Sequence, residues 1–410
     1  MIANTKQLKA ALRILKNFID DGYISNPIRI EASKGILDLR ARTQEGVVQI
    51  CLTATPPDEA VAECFVPAKE LWQVCGEIEL PTAAFEFKKK KQQFCLNGKA
   101  LVLYSQIEGD KYSVKGLRGD SLEASFAADT LVGILTFLHL KTRKESNGSY
   151  RQLAFSGGQF LTTDGHRIHA QGGLPILATE PKMVGLSIIE VLMRGIRLIS
   201  AEKVDLAFYP KKSSPGVLLV TMSSATESLT ALMKASDCEW IKKADNALLP
   251  IDEHSIGVSL HRDHLRALLE QARKMQKTED PEILFEVGDR FTARVLGEDE
   301  SKDQVAEVPS VRTFGSGSAA VLVGINYVLD ALVGAESIQL IFPNQLESRR
   351  EPLYITDQVP NRYAYIAPVY ARNASSPQAL VSVEEVRCVR EGRPFPPPVD
   401  ENRTPDGETQ

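Results

Sequence analysis

The sequence predicts an α+β chain of three similar domains, each with two amphipathic helices packed on antiparallel sheets. Three observations lead there. Leucine-centred helical stretches recur in pairs, from Leu8 to Leu71, Leu131 to Leu192 and Leu265 to Leu329, so partner helices stand 63, 61 and 64 residues apart. The pairs begin 123 and 134 residues apart, far beyond the roughly 20–50 residues of a solenoid repeat. Alternating apolar and polar residues fill the stretches between helices, the period of a strand with one covered face. Boundaries fall near Asp120 and near Ile251-Asp252, giving domains 1–120, 121–251 and 252–373. A tail, 374–410, is rich in proline and charge and poor in aromatics, a composition that predicts disorder.

The first helix starts with Thr5 as its expected cap and runs to about Phe18, before Asp20-Asp21-Gly22 ends it. Leu8, Ala11, Leu12, Leu15, Phe18 and Ile19 share one face. PIRIEA, GILDLRA and GVVQICLTA read as strands, and FVPAKELWQVCGEI as the second helix, with Leu71, Val74 and Cys75 inward. In the second repeat, ASFAADTLVGILTFLHL reads as helix with Asp129 as a possible cap. RQLAFSG and QFLTTDGHRIHA follow as strands, then the helix SIIEVLMRGIRLIS. In the third, SLHRDHLRALLEQARKMQK and INYVLDALVG are the helices, with EILFEVG, RFTARVLG, SIQLIFP, PLYITD and YAYIAPVY among the strands.

Apolar content of 43% and charged content of 25% fit a globular protein. No apolar run of about 20 residues spans a membrane, and the N-terminus lacks a signal-peptide core, so a cytoplasmic location is expected. The six cysteines form no CxxC pair, which indicates buried thiols rather than a zinc site or disulfide framework. The net charge of −5 leaves room for a local basic stripe.

Such a stripe is visible. Lys9, Arg13 and Lys16 lie beside the apolar face of the first helix, and Arg262, Arg266 and Arg273 repeat the arrangement in the third repeat. In the second, Lys141 and Arg143 sit at or past the helix end, and Arg194 and Arg197 lie on its other helix. A basic wall binds a phosphate backbone without reading bases; alternatively it only keeps a solvated face soluble. Asp164, His166 and His169 do not share one face of a strand, so no metal site is expected, and no catalytic string or cofactor motif stands out.

Four motifs carry a resemblance: Thr163-Asp164-Gly165-His166-Arg167-Ile168, FVPAKEL (65–71), VGINYVLDAL (323–332) and AYIAPVY (364–370). In this order within a triplicated chain, they resemble the bacterial sliding clamp family, the beta subunit of DNA polymerase III, over about residues 1–371. The resemblance implies the DNA clamp fold and a head-to-tail homodimeric ring. It implies that the ring encircles duplex DNA independently of sequence and tethers DNA polymerase for processive replication, with no catalytic site of its own. It also implies a groove for short hydrophobic peptides of DNA polymerase and the clamp loader. Its lining would be Thr163, Gly165, His166, Arg167, Ile168, Tyr327, Ala367, Pro368 and Val369, with Tyr150 and Trp240 nearby. Val102 and Tyr104 of one chain would meet Met275 of the other. The alternative expectation is a clamp-like interaction protein that binds replication or repair factors through its groove without encircling DNA.

Overall fold

A computed structural model describes residues 1–20, 27–56, 61–88, 93–101, 103, 117, 119–140, 152–210, 216–241, 255–276, 278–296, 303–309, 312–315, 317–334, 336–342 and 352–369. The tail 374–410 therefore lies outside the described residues, as do Val102, Tyr104, Lys141, Arg143 and Tyr150. The chain divides into two compact units, one of residues 1–165 and 169–246, the other of 166–168 and 247–410.

Six helices carry the repeat: α1 (Thr5–Asp20), α2 (Ala68–Gly76), α3 (Ala128–Leu138), α4 (Ser187–Ile199), α5 (Arg262–Gln276) and α6 (Ile325–Ala331). The six apolar residues expected inward on α1 are each at most 2% exposed, and Ile14 joins them. At about 1.5–3 kcal/mol per fully buried large apolar side chain, such a face outweighs the marginal stability of an isolated helix.

The structure corrects the helix starts. Asn4, not Thr5, caps α1: its side-chain oxygen accepts the backbone N–H groups of Lys6 and Gln7 at 2.9 and 3.2 Å. Thr5 is already helical, and it is buried. Residues 124–127, read as helix, belong to the strand Leu122–Ala127, and Asp129 lies in the first turn of α3 without capping it. The reason is tertiary: Leu122–Ala127 ladders with Lys203–Tyr209, which overrides the helix-favouring alanines. The same device recurs, since Ile2–Asn4 and Ile256–His261 run directly into α1 and α5.

In the first unit, antiparallel pairings form one unbroken run. It passes from Val61–Pro67 through Pro27–Ser33, Ile36–Arg42 and Gly46–Thr53 to Ser228–Asp237, then through Gly216–Ser223 and Lys203–Tyr209 to Leu122–Ala127. The seam between repeats is the pairing of Gly46–Thr53 with Ser228–Asp237. Beside it α1 packs on α4, and Asn17 donates to Glu190 at 3.1 Å. In the second unit, Arg312–Phe314, Ile256–His261, Ser337–Phe342, Leu353–Asp357 and Arg362–Ile366 pair in that order. A four-stranded sheet runs through Gln304–Glu307, Phe291–Val295, Glu282–Val287 and Ala319–Gly324. Its apolar filling includes Phe285 and Phe291, with ring centres 5.5 Å apart.

The segment 159–171, read as one strand, is two. Gln159–Thr163 and Arg167–Gln171 are separated by a bend at Gly165, whose φ of +88° favours glycine. Thr163 holds the bend by accepting the Gly165 N–H on its hydroxyl at 3.1 Å.

The described cysteines are free thiols. Burial pushes Cys64 up to about 12 and Cys75 up to about 11, so both stay protonated at neutral pH.

Candidate functional site

Helix α6 and the segment 367–369 build one candidate site within the second unit. Glycine 324 precedes α6, and Tyr327 and Asp330 stand three residues apart, on one side of the helix. Arg167 comes to both. Its guanidinium lies 2.7 Å from the Asp330 carboxylate and 4.9 Å above the centre of the Tyr327 ring. The Arg167 side chain is only 2% exposed against 23% for Asp330, so the charge is withdrawn from water and must be held by its partners. His166 is exposed and stacks on Tyr327, ring centres 5.7 Å apart and 10° from parallel. The His166 carbonyl accepts the Ala367 N–H at 2.8 Å, and Val369 donates to the Leu322 carbonyl at 2.9 Å. The first bond ties the segment 367–369 to His166, and the second ties it to the strand before α6. Pro368 is buried; Ile168, Ala367 and Val369 are half-buried. The arrangement is a small apolar surface with one fixed cation and one stacked aromatic pair.

Of the other groove candidates, Thr163 is buried and Gly165 exposed, both in the first unit. Trp240 is half-buried in the first unit, with its indole nitrogen shielded and without a hydrogen-bond partner among the described residues. Asp330 was missed by sequence reasoning. Its spacing from Tyr327 on one helix face was the available signal.

The basic candidates divide into two groups. Lys9 donates to the carbonyls of Gly76 and Ile78 at 3.1 and 2.8 Å, capping the end of α2. Arg194 bonds Glu190 at 2.6 Å, Arg262 pairs with Asp263 at 2.8 Å and Arg266 with Glu270 at 3.0 Å. Burial raises the Glu190 carboxyl, but hydrogen bonds from Arg194 and Asn17 and the charge of Arg194 outweigh it, leaving it below its usual range. Arg13, Arg197 and Arg273 form the second group: they are exposed and make no ion pair with another described residue. Lys16 is half-buried on α1. Met275, at the end of α5, is 37% exposed.

No protein-family model and no curated protein sequence matches the chain. Solved structures do match. The DNA polymerase III subunit beta of Pseudomonas aeruginosa superposes with a TM-score of 0.65 at 16% identity, over 90% of this chain and 99% of that one. The DNA polymerase sliding clamp of Bacillus subtilis gives 0.67 at 12%, and the beta subunit of Thermotoga maritima 0.66 at 11%, each over 90% of this chain and 98% of the other. The chain has the sliding-clamp fold. At these identities the likeness shows the fold alone, so the groove and the basic faces must be argued from this chain's own residues. No described helix is long and apolar enough to cross a membrane.

Proposed function

We propose that this protein is a sliding clamp that encircles duplex DNA as a head-to-tail homodimer and tethers a DNA polymerase. The observation that carries the reading is the clamp fold extending over 98–99% of the matched structures. In this reading each chain supplies three domains, 1–120, 121–251 and 252–373, and helices line the hole. Arg13, Arg197 and Arg273 then meet phosphates, which gives salt-sensitive contact without base reading. Val102 and Tyr104 of one chain face Met275 of the next. A heterologous contact of this kind closes into a ring only at the right rotation. The protein is an accessory factor, without a catalytic group or cofactor, and works in the cytoplasm.

Polymerase and clamp-loader peptides anchor on the surface around Arg167, Tyr327 and Pro368, with the exposed His166 ring at its rim. Few anchor residues carry most of the energy at such a site. Arg167→Ala and Tyr327→Ala therefore each weaken a hydrophobic clamp-binding peptide by roughly tenfold, about 1.4 kcal/mol, while the native mass of the protein is unchanged. Loss of the oligomer in either variant would show that these residues belong to the ring contact instead.

A second reading draws on Lys9, Arg194, Arg262 and Arg266, whose charges are already held by protein acceptors. It is a clamp-like protein that binds replication or repair factors without encircling DNA. Native mass measurement at micromolar concentration separates the two. The ring reading expects a dimer of 45.1 kDa chains; a monomer favours the second.

A further inference from the structure

The hairpin of Leu353–Asp357 and Arg362–Ile366 alternates strictly between faces. Leu353, Ile355, Ala364 and Ile366 point inward and are at most 2% exposed. Tyr354, Tyr363 and Tyr365 therefore share the outer face, half-exposed. Tyr354 stands directly opposite Tyr365 and Thr356 opposite Tyr363. The three rings touch as a set, with centres 4.6 Å apart for Tyr354 and Tyr365, 5.3 Å for Tyr363 and Tyr365, and 5.7 Å for Tyr354 and Tyr363. The Tyr365 hydroxyl bonds that of Tyr354, and burial raises both phenols, so the rings stay neutral. The apolar row continues across the sheet. Tyr354 registers with Ile341, Ile341 with Gly257, and Gly257 with Phe314. Gly257 has a reason here: a Cβ would come within 2.1 Å of the tip of the Phe314 ring, which reaches over the bare backbone.

Three neighbouring tyrosines with rigid rings and few rotamers form the kind of surface that takes polyproline helices, whose shape is set before binding. The chain carries such a sequence itself: Pro394-Phe395-Pro396-Pro397-Pro398. We propose that this segment of the chain's own tail docks on the tyrosine face of the second unit. Pro394 lies 25 positions after Val369, and a flexible chain of that length would have a root-mean-square reach of about 28 Å. Tyr365 lies four residues before Val369, at most ~14 Å away, so the face is within reach. The tether gives the segment an effective concentration on the order of 1 mM. Even a weak site, with a dissociation constant of about 0.1 mM, then stays occupied about nine-tenths of the time. Both partners lie in one chain, so the proposal stands apart from the ring reading.

Trypsin cleavage of the full chain after Arg390, followed by mass spectrometry, tests it. Docking expects the triple change Pro396→Ser, Pro397→Ser, Pro398→Ser to speed that cleavage by about five- to tenfold, without touching the folded body. Tyr363→Ser, with an unchanged melting temperature, should do the same. The wild-type rate should not depend on protein concentration. Equal rates for the wild type and the triple variant would overturn the proposal. So would protection that grows with concentration, which places the segment on a second copy.

Discussion

Replacing Arg13, Arg197 and Arg273 together with glutamate is expected to lower the salt slope of DNA association by about three. Each phosphate neutralised contributes roughly 0.9 to that slope on duplex DNA, because each contact releases condensed counterions. The three arginines are exposed, on helices α1, α4 and α5, and make no ion pair with another described residue, although the charge of Arg273 is felt by Glu270. Among the described basic candidates they have most to give a phosphate. Arg262 and Arg266 serve as the internal control. Each already sits beside a carboxylate, Asp263 at 2.8 Å and Glu270 at 3.0 Å. Their change to glutamine should alter the slope by less than one apiece. The readout is the logarithm of DNA association against the logarithm of salt. A triple variant with the wild-type slope would mean that these helix faces do not meet DNA.

Gly46→Ala is expected to destabilise the first unit by about 2–3 kcal/mol, the cost of overpacking a site that cannot relax. The position registers with Met233 at the seam where the two repeats' sheets join. A Cβ there would lie 2.0 Å from the Leu232 carbonyl oxygen and 3.0 Å from the Met233 Cα. Both are backbone atoms, so no side-chain rotation makes room, and the strand must shift. The shift would strain the adjacent bonds, where Lys234 donates to the Glu45 carbonyl at 2.7 Å and Ser187 to the Glu45 carboxylate at 3.2 Å. A drop of about 5–10 °C in the first thermal transition follows from the usual size scaling. Gly76→Ala is the control, since nothing lies within 4 Å of a Cβ there. An unchanged transition for Gly46→Ala would mean that the seam is not a tight joint.

The helices were legible in the sequence because each buries one face. Leu8, Leu71, Leu131, Leu265 and Leu269 are all buried completely, as their spacing required. What local pattern could not reveal was pairing across the chain. Residues 124–127 read as helix because alanines favour it locally, and only the strand at 203–209 makes them extended. The Asp164-Gly165 turn lay in plain view, yet apolar alternation on both sides made the segment read as one strand. The candidate groove was half legible. Arg167 and Tyr327 came from motifs, whereas the ion pair to Asp330 joins residues 163 positions apart. The basic stripe shows the same limit. Helical spacing placed Lys9 beside Arg13, but it could not say that Lys9 reaches the carbonyls ending α2.

If the protein holds DNA by encircling it, a free DNA end lets it go. The most direct measurement compares its retention on closed circular DNA with retention on the same molecule after a single double-strand cut, at a salt concentration that removes surface-bound protein. A ring is expected to be retained for long on the circle and lost rapidly from the cut ends. Equal retention on both forms would contradict it.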